Sequence, residues 1–427
     1  MTAPIRLGVA GLGTVGVGVV KIVQARAELL RARTGRPVAI SAVCARSRDK
    51  DRGVPLEDYA WEDDPVALAR RDDVDLFVEL MGGSDGAAKD ATEAAIAAGK
   101  DVATANKAML ALHGHGLALA AEEAGVALRF EAAVAGGIPV VKALTEGLAG
   151  NEIRSVMGVM NGTCNYILTR MEHARLSYGE VFEEARNLGY LEADPSLDVG
   201  GMDAGHKLAL LAAIAFGTRV SFDAVEIEGI ERVSLADIGQ ARDMGFRIKL
   251  LGVARMADER LEQRMAPCLV PADSPLGQLE VATNMVVIEG DACGQIALRG
   301  AGAGEGPTAS AVISDVLDIA RGLRVPTFGR PAASLAEPAR APAAPAPFYL
   351  RMDLQDEPGA LAKVAAVLGE SGVSIDRMRQ YRHSQATAPV LFVTHRTDSA
   401  ALDRALARLP GTGVVAGRPV ALRIEES

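Results

Sequence analysis

Apolar residues in the first third of the chain fall into short unbroken runs separated by longer Ala-rich amphipathic stretches. Ile5 to Ala10 is one such run, and Val38 to Cys44, Asp75 to Leu80 and Asp101 to Ala105 repeat it. Short apolar runs predict strands buried on both faces, and the stretches between them, the first reaching to about Arg33, predict helices. Strands alternating with helices imply a parallel sheet with right-handed crossovers. From about Pro139 the pattern changes. Ile153 to Met160, Ala224 to Ile230, Phe246 to Arg255, Met265 to Val270 and Asn284 to Glu289 predict strands of a second sheet. Helices are expected at Tyr166 to Met171, Tyr178 to Leu188 and Asp203 to Phe216.

Residues 331–347 are almost entirely Pro and Ala with Arg and Glu, a composition that predicts an extended spacer with no core of its own. Beyond it the pattern spells strand, helix, strand, strand, helix, strand: Phe348 to Leu354, Gly359 to Ser371, Val373 to Arg382, Val390 to Arg396, Ser399 to Leu409 and Pro419 to Glu425. That order is a ferredoxin-like βαββαβ unit.

Composition narrows the class. With 49% hydrophobic and 23% charged residues, the 427-residue chain is a multidomain globular protein, not a disordered or fibrous one. A net charge of -10 argues against nucleic acid or an anionic membrane as partner, since both are held by clustered cations. Cys44, Cys164, Cys268 and Cys293 are far apart and form no metal or disulfide pattern, which fits a reducing, cytoplasmic setting. Arg6, the run Leu7 to Val20 and Ala25-Arg26-Ala27 loosely imitate a secretion signal, but the glycines inside the run have a better explanation. No run is long and apolar enough to predict a membrane span.

That explanation is Gly11-Leu12-Gly13-Thr14-Val15-Gly16, set between a strand and a helix. In a dinucleotide-binding turn Gly11 makes the bend, Gly13 admits the pyrophosphate and Gly16 lets helix pack on strand, with Thr14 and Val15 opening the helix toward the phosphates. The second strand ends Cys44-Ala45-Arg46-Ser47-Arg48-Asp49-Lys50, without the acid that would bind an NAD ribose. Arg46 and Lys50 there favour the 2′-phosphate of NADP, with NAD still possible. A solvated basic loop is the alternative, because Asp49 and Asp51 dilute the charge.

The chain has 9 lysines against 36 arginines, so each lysine stands out. Lys107 follows Thr104-Ala105-Asn106 at the carboxyl end of a parallel strand, where open α/β sheets place their ligands. Lys207 opens an apolar helix and shares a face with Asp203, four residues earlier. Such a pair is ordinary on a solvated helix. The Gly- and Pro-punctuated loop before it carries Glu192, Asp194 and Asp198, acids that either hold a substrate ammonium or cap the helix.

The glycine loop, Thr-Ala-Asn-Lys-Ala at 104–108, Phe-Glu-Ala-Ala-Val-Ala-Gly-Gly-Ile-Pro at 130–139, Asn-Gly-Thr-Cys-Asn-Tyr-Ile-Leu at 161–168 and the stretch Gly189 to Leu208 together resemble homoserine dehydrogenase. The resemblance spans residues 5 to about 325 and implies NAD(P)-linked interconversion of aspartate 4-semialdehyde and homoserine, on the route to threonine, methionine and isoleucine. It implies Lys207 as proton donor with Lys107 as partner, Glu192 and Asp203 on the substrate ammonium, and Gly189 and Gly304 on the cofactor. It also implies a monovalent cation, typically sodium, on the main-chain carbonyls of Glu131, Val134, Gly136 and Ile138, and a homodimer or homotetramer. Cys164 departs from the threonine common in the family, and reads as a packing change.

The turn Asp356-Glu357-Pro358-Gly359 before a helix resembles the ACT domain signature, which implies an amino-acid effector, threonine being the one to test. A ligand-free dimerisation module is the alternative. The expected architecture is therefore a Rossmann-type doubly wound parallel sheet over 1–138 with about 301–330 returning to it, and an α+β substrate and dimerisation domain over 139–300. The linker 331–347 and the ACT domain 348–427 follow. His113, His115, His206 and Trp61 carry no metal-ligand or stacking signal and read as structural. Competing functions are another NADP-linked amino-acid or hydroxy-acid dehydrogenase, and a sensor without catalysis.

Overall fold

The computed structural model describes residues 2–191, 195–380 and 387–425. Six parallel strands form the first sheet in the order Ala60–Glu62, Val38–Cys44, Ile5–Ala10, Leu76–Glu79, Asp101–Thr104 and Leu128–Arg129. This is the doubly wound order, with its switch point between Ile5–Ala10 and Leu76–Glu79, so the loops after those two strands diverge and open a crevice. Leu7, Val9, Leu76 and Val78 are fully buried because helices cover both faces. The helix expected to run to Arg33 is two, Thr14–Ala25 and Ala27–Thr34, which meet at Arg26. Helix Glu305–Ala320 returns to this core through Ala309, Val312 and Val316. Gly18 permits the approach, since a Cβ there would press on Ala309 and Glu305, and Lys21 pairs with Glu305 at 2.7 Å across the same contact.

The second sheet runs Gly294–Ala301, Thr283–Gly290, Ile153–Val159, Phe246–Ala257, Arg260–Pro271, and then continues without a break into Val415–Ile424, Phe348–Gln355, Thr387–Thr394 and Ile375–Gln380. The C-terminal βαββαβ unit is thus not a separate body on a tether. Its last strand pairs in parallel with Arg260–Pro271 at Cys268 with Arg423 and Leu269 with Ile424. Helix Leu235–Asp243 was not expected from the apolar pattern, although Ser234 and Asp237 form a capping box at its start.

The Pro/Ala segment 331–347 is extended, as its composition predicts, but it is docked. Ala332, Leu335 and Ala346 are buried, and Ala339–Arg340 pair with the start of Arg260–Pro271. Small side chains let the backbone lie flat on an existing core, and its amides find acceptors: Ala332 N–H donates to the Glu122 carboxylate at 2.9 Å and Ala344 N–H to Glu262 at 3.2 Å.

Candidate active site

The crevice at the switch point has a volume of about 730 Å³ and is lined by Gly11, Gly13, Arg46, Lys50, Met81 and Gly83 among others. Gly11 has φ +95, and a Cβ there would collide with the Leu80 carbonyl. A Cβ on Gly16 would collide with the Gly11 carbonyl, whereas one on Gly13 would meet open space. Gly11 and Gly16 thus serve a bend and a close backbone approach, while Gly13 leaves open space at the crevice. Helix Thr14–Ala25 begins at Gly13 with no side-chain cap and no acid in its first turn, so its leading N–H groups and positive end face the crevice. These features fit a dinucleotide pyrophosphate.

Arg46, Ser47, Lys50 and Arg52 form the wall where the adenosine ribose of such a ligand would lie. Arg52 was not singled out from sequence. It braces the loop, donating to the carbonyls of Ser47 at 2.5 Å, Lys50 at 2.8 Å and Leu12 at 3.3 Å, while its guanidinium stacks over Trp61. Trp61 is therefore a packing platform for this loop.

After Asp101–Thr104, the strand next to the one whose loop lines the crevice, Lys107 and Lys207 come together on one carboxylate. Lys107 Nζ lies 2.8 Å from Asp203 Oδ1, and Lys207 Nζ lies 2.7 Å from Asp203 Oδ2. The Lys207 ammonium also donates to the Met160 carbonyl at 3.0 Å. Asp203 and Lys207 side chains are each only 11% exposed, which excludes the solvated helix pair that spacing alone allowed. Burial by itself would raise the Asp203 carboxyl, but the Lys207 and Lys107 ammoniums outweigh it and hold the acid well below the usual carboxylate range. Lys107 is the first residue of its helix, so its ammonium sits at the positive end of the dipole, and Asp203 offsets that unfavourable placement.

The loop around the pair is pinned from below. Asn161 caps helix Gly162–Ala174 and donates to Asp198 at 3.2 Å, and the Cys164 thiol donates to the Asp198 carbonyl at 3.3 Å. Complete burial pushes that thiol well above its ordinary range, consistent with packing and not with nucleophilic chemistry. His206 lies against Phe222 with ring centroids 4.2 Å apart, and burial lowers its proton affinity.

Of the other expected residues, Glu192 lies outside the described residues. Gly189, at φ +74, closes helix Tyr178–Asn187, and Gly304, at φ +114, opens helix Glu305–Ala320. Glu131, Val134, Gly136 and Ile138 lie on one buried turn leading out of the first sheet. Glu131 is tied there: its N–H donates to Asp315 at 2.8 Å, and its carboxylate accepts from the N–H groups of Val141 and Lys142. The Ile138 carbonyl accepts from Val140 N–H at 2.8 Å, so one of its two lone pairs is already engaged.

A glycine-loop crevice beside a buried lysine pair, joined to a ferredoxin-like module, defines a nicotinamide-nucleotide oxidoreductase with an appended ACT domain. Family profiles agree: "Homoserine dehydrogenase, NAD binding domain" matches residues 11–131, "Homoserine dehydrogenase" matches 139–317 and "ACT domain" matches 348–411. A homoserine dehydrogenase of Neisseria gonorrhoeae is 41% identical over 431 residues, covering 99% of each chain. One of Mycobacterium tuberculosis is 42% identical over 437 residues, covering 99% of this chain and 98% of that one. The crystal structure of a homoserine dehydrogenase from Thiobacillus denitrificans superposes with a TM-score of 0.94 at 38% identity, over 99% of this chain and 98% of the other. The chain belongs to the homoserine dehydrogenase family.

Proposed function

We propose that this homoserine dehydrogenase uses NADPH to reduce aspartate 4-semialdehyde reversibly to L-homoserine, with Lys207 as proton donor and Lys107 as its partner. The observation that carries this reading is the buried Asp203 carboxylate holding both ammoniums at 2.7 and 2.8 Å. A bound nicotinamide supplies or accepts the hydride. As the carbonyl oxygen gains negative charge, a preorganised ammonium stabilises it and delivers the proton. Asp203 holds the two lysines, one on each oxygen, and with Glu192 takes the substrate's ammonium end, since each of its oxygens keeps a lone pair. The basic wall of Arg46, Lys50 and Arg52 supports NADPH over NADH. In line with this, a solved archaeal homoserine dehydrogenase mutant, 26% identical with a TM-score of 0.63, is a complex with NADPH.

The buried carbonyls of Glu131, Val134, Gly136 and Ile138 are hard oxygen donors suited to sodium, and a cation there would stiffen the turn. The ACT domain supports amino-acid regulation, with threonine as effector and a homodimer or homotetramer as the assembly. Its Arg351 and Tyr349 grip the buried Asp237 of the catalytic part at 2.6 and 3.2 Å, a rigid connection through which effector binding can act. The product places the enzyme on the route to threonine, methionine and isoleucine. The test is oxidation of homoserine by purified protein with NADP and with NAD, against other hydroxy acids, with and without threonine. Turnover of a different hydroxy acid at higher kcat/KM would overturn the substrate, and unchanged rates with threonine would overturn the effector.

A further inference from the structure

One buried acid has no part in the chemistry described so far. Glu79 ends strand Leu76–Glu79, is fully buried, and forms no ion pair among the described residues. Burial raises its proton affinity, and only hydrogen bonds oppose that. A carboxylate placed so is costly compared with a neutral or apolar residue, so its presence calls for a reason other than stability.

The reason lies in what it joins. Glu79 Oε1 accepts from Met81 N–H at 2.7 Å and from Gly82 N–H at 3.4 Å, fixing the loop that lines the cofactor crevice. Glu79 Oε2 accepts from the Thr104 hydroxyl at 2.6 Å, across paired parallel strands. With its proton committed to Glu79, the Thr104 oxygen accepts from Asn106 N–H at 3.0 Å. Asn106 in turn caps the helix that starts at Lys107, accepting from Met109 N–H at 3.1 Å, and donates to the Gly83 carbonyl at 2.7 Å. One carboxylate thus sets the direction of a hydrogen-bond chain that ends at the cap of the helix opened by Lys107 and simultaneously holds the cofactor loop.

We infer that Glu79, acting through Thr104 and Asn106, is a positioning residue that fixes Lys107 relative to the cofactor loop. The inference rests on the reading of Lys107 as the partner of the proton donor. Glutamine at 79 keeps the volume but replaces one acceptor oxygen with a donor, so it cannot accept from both the loop amides and Thr104.

The experiment compares Glu79→Gln, Thr104→Ser, Thr104→Val and Lys107→Ala in the full chain, with NADPH binding measured by fluorescence and kcat expressed per bound cofactor. Displacing a catalytic group by an ångström costs about a hundredfold in rate. Glu79→Gln and Thr104→Val are therefore expected to lower kcat about 10 to 100-fold with a homoserine KM changed less than about threefold, and Thr104→Ser to restore most of it. The double variant Glu79→Gln/Thr104→Val should lose no more than the worse single variant, because both break one chain. Normal kcat per bound cofactor in Glu79→Gln, or full additivity of the two losses, would overturn the inference. If Glu79→Gln does not fold, the serine and valine pair at 104 decides: equal kcat for both overturns it. Lys107→Ala separates the two levels. Near-normal turnover there removes the lysine reading itself, whereas a loss there with none in Glu79→Gln removes only the positioning role.

Discussion

Replacing Glu425 with Gln tests whether the C-terminal module is welded to the catalytic part or merely beside it. Glu425 is 3% exposed and receives three guanidiniums: Arg255 at 2.8 Å, Arg423 at 2.6 Å and Arg264. Two of these belong to the catalytic sheet and one to the module. Glu262, itself buried, shares Arg264 at 3.0 Å. The cluster therefore holds three cations on two anions, and the substitution leaves three on one. At about 3 Å and an effective dielectric near 20, each pair is worth roughly 5 kcal/mol of Coulomb energy before desolvation. Desolvation and repulsion among the arginines take back most of the sum, and breaking a buried pair by removing one partner costs about 3 to 5 kcal/mol net. Arg255 is the most exposed of the three, which favours the lower end.

The assay is urea denaturation of the wild type and Glu425→Gln, followed by far-UV circular dichroism and by NADPH binding. The expected result is a midpoint drop equivalent to about 3 kcal/mol, with both probes shifting together because the strand pairing and the cluster lie on the same seam. Acid adds a second readout. Burial alone would raise the Glu425 carboxyl, but Arg264, Arg255 and Arg423 reverse this and hold it below its ordinary value of 4.5. A depressed carboxyl stabilises the fold above its unfolded pKa and loses that contribution as pH falls through the folded value. The gap between wild type and variant should therefore be constant above about pH 5.5 and close at more acid pH. A gap under about 1 kcal/mol at pH 7, or one that persists unchanged into acid, would refute the weld.

The remaining predictions concern the site and its support. On the proposed role of Lys207 in proton transfer, Lys207→Ala should lower kcat by about 10² to 10⁴ while NADPH affinity stays within about twofold. Arg46→Ala should weaken NADPH binding about tenfold and leave NADH nearly unchanged, and an unaltered ratio of the two dissociation constants would dismiss the phosphate clamp. Lys249 is buried between Asn165 and the Leu279 carbonyl, and burial pushes its ammonium down to about 8. A lysine whose folded pKa is depressed makes the fold more stable as pH rises from about 8 toward 10.5, because the unfolded chain alone keeps the proton there. Lys249→Met should abolish that rise, so its stability relative to wild type worsens by about 3 kcal/mol across the window; parallel pH profiles would exclude the effect.

How much of this was legible depends on whether the signal is local. Ile5–Ala10 and Val38–Cys44 have the bounds their apolar runs predict, because a strand buried on both faces writes itself as an unbroken run. Ala60–Glu62 and Leu128–Arg129 are too short to write anything, and Gly294–Ala301 is an edge strand whose alternation is diluted by glycine and arginine. The glycine loop was legible because its spacing between a strand and a helix is a local signal, and Gly11 and Gly16 answer backbone demands there. The docking of 331–347 was not, since its partners, Glu122 and the start of Arg260–Pro271, are distant in sequence and its own residues are small and featureless.

The lysine site shows the same boundary inside one constellation. Asp203 and Lys207 are one helical turn apart, so their pairing follows from spacing, but spacing leaves the second oxygen of Asp203 unassigned. Lys107 takes it from the other domain, a contact no one-dimensional period contains. That contact changes what Asp203 does: a carboxylate with an ammonium on each oxygen holds together two lysines that would otherwise repel. Glu79 repeats the lesson one layer deeper. An acid closing the run Leu76-Phe77-Val78 at the carboxyl end of a parallel strand was a readable anomaly, because that edge is where such sheets act. Its meaning required the neighbouring strand, since Thr104 turns a lone buried carboxylate into the origin of a directed chain. Residue type marked where chemistry belongs, and only the pairing of strands and domains brought each of these acids to its partners.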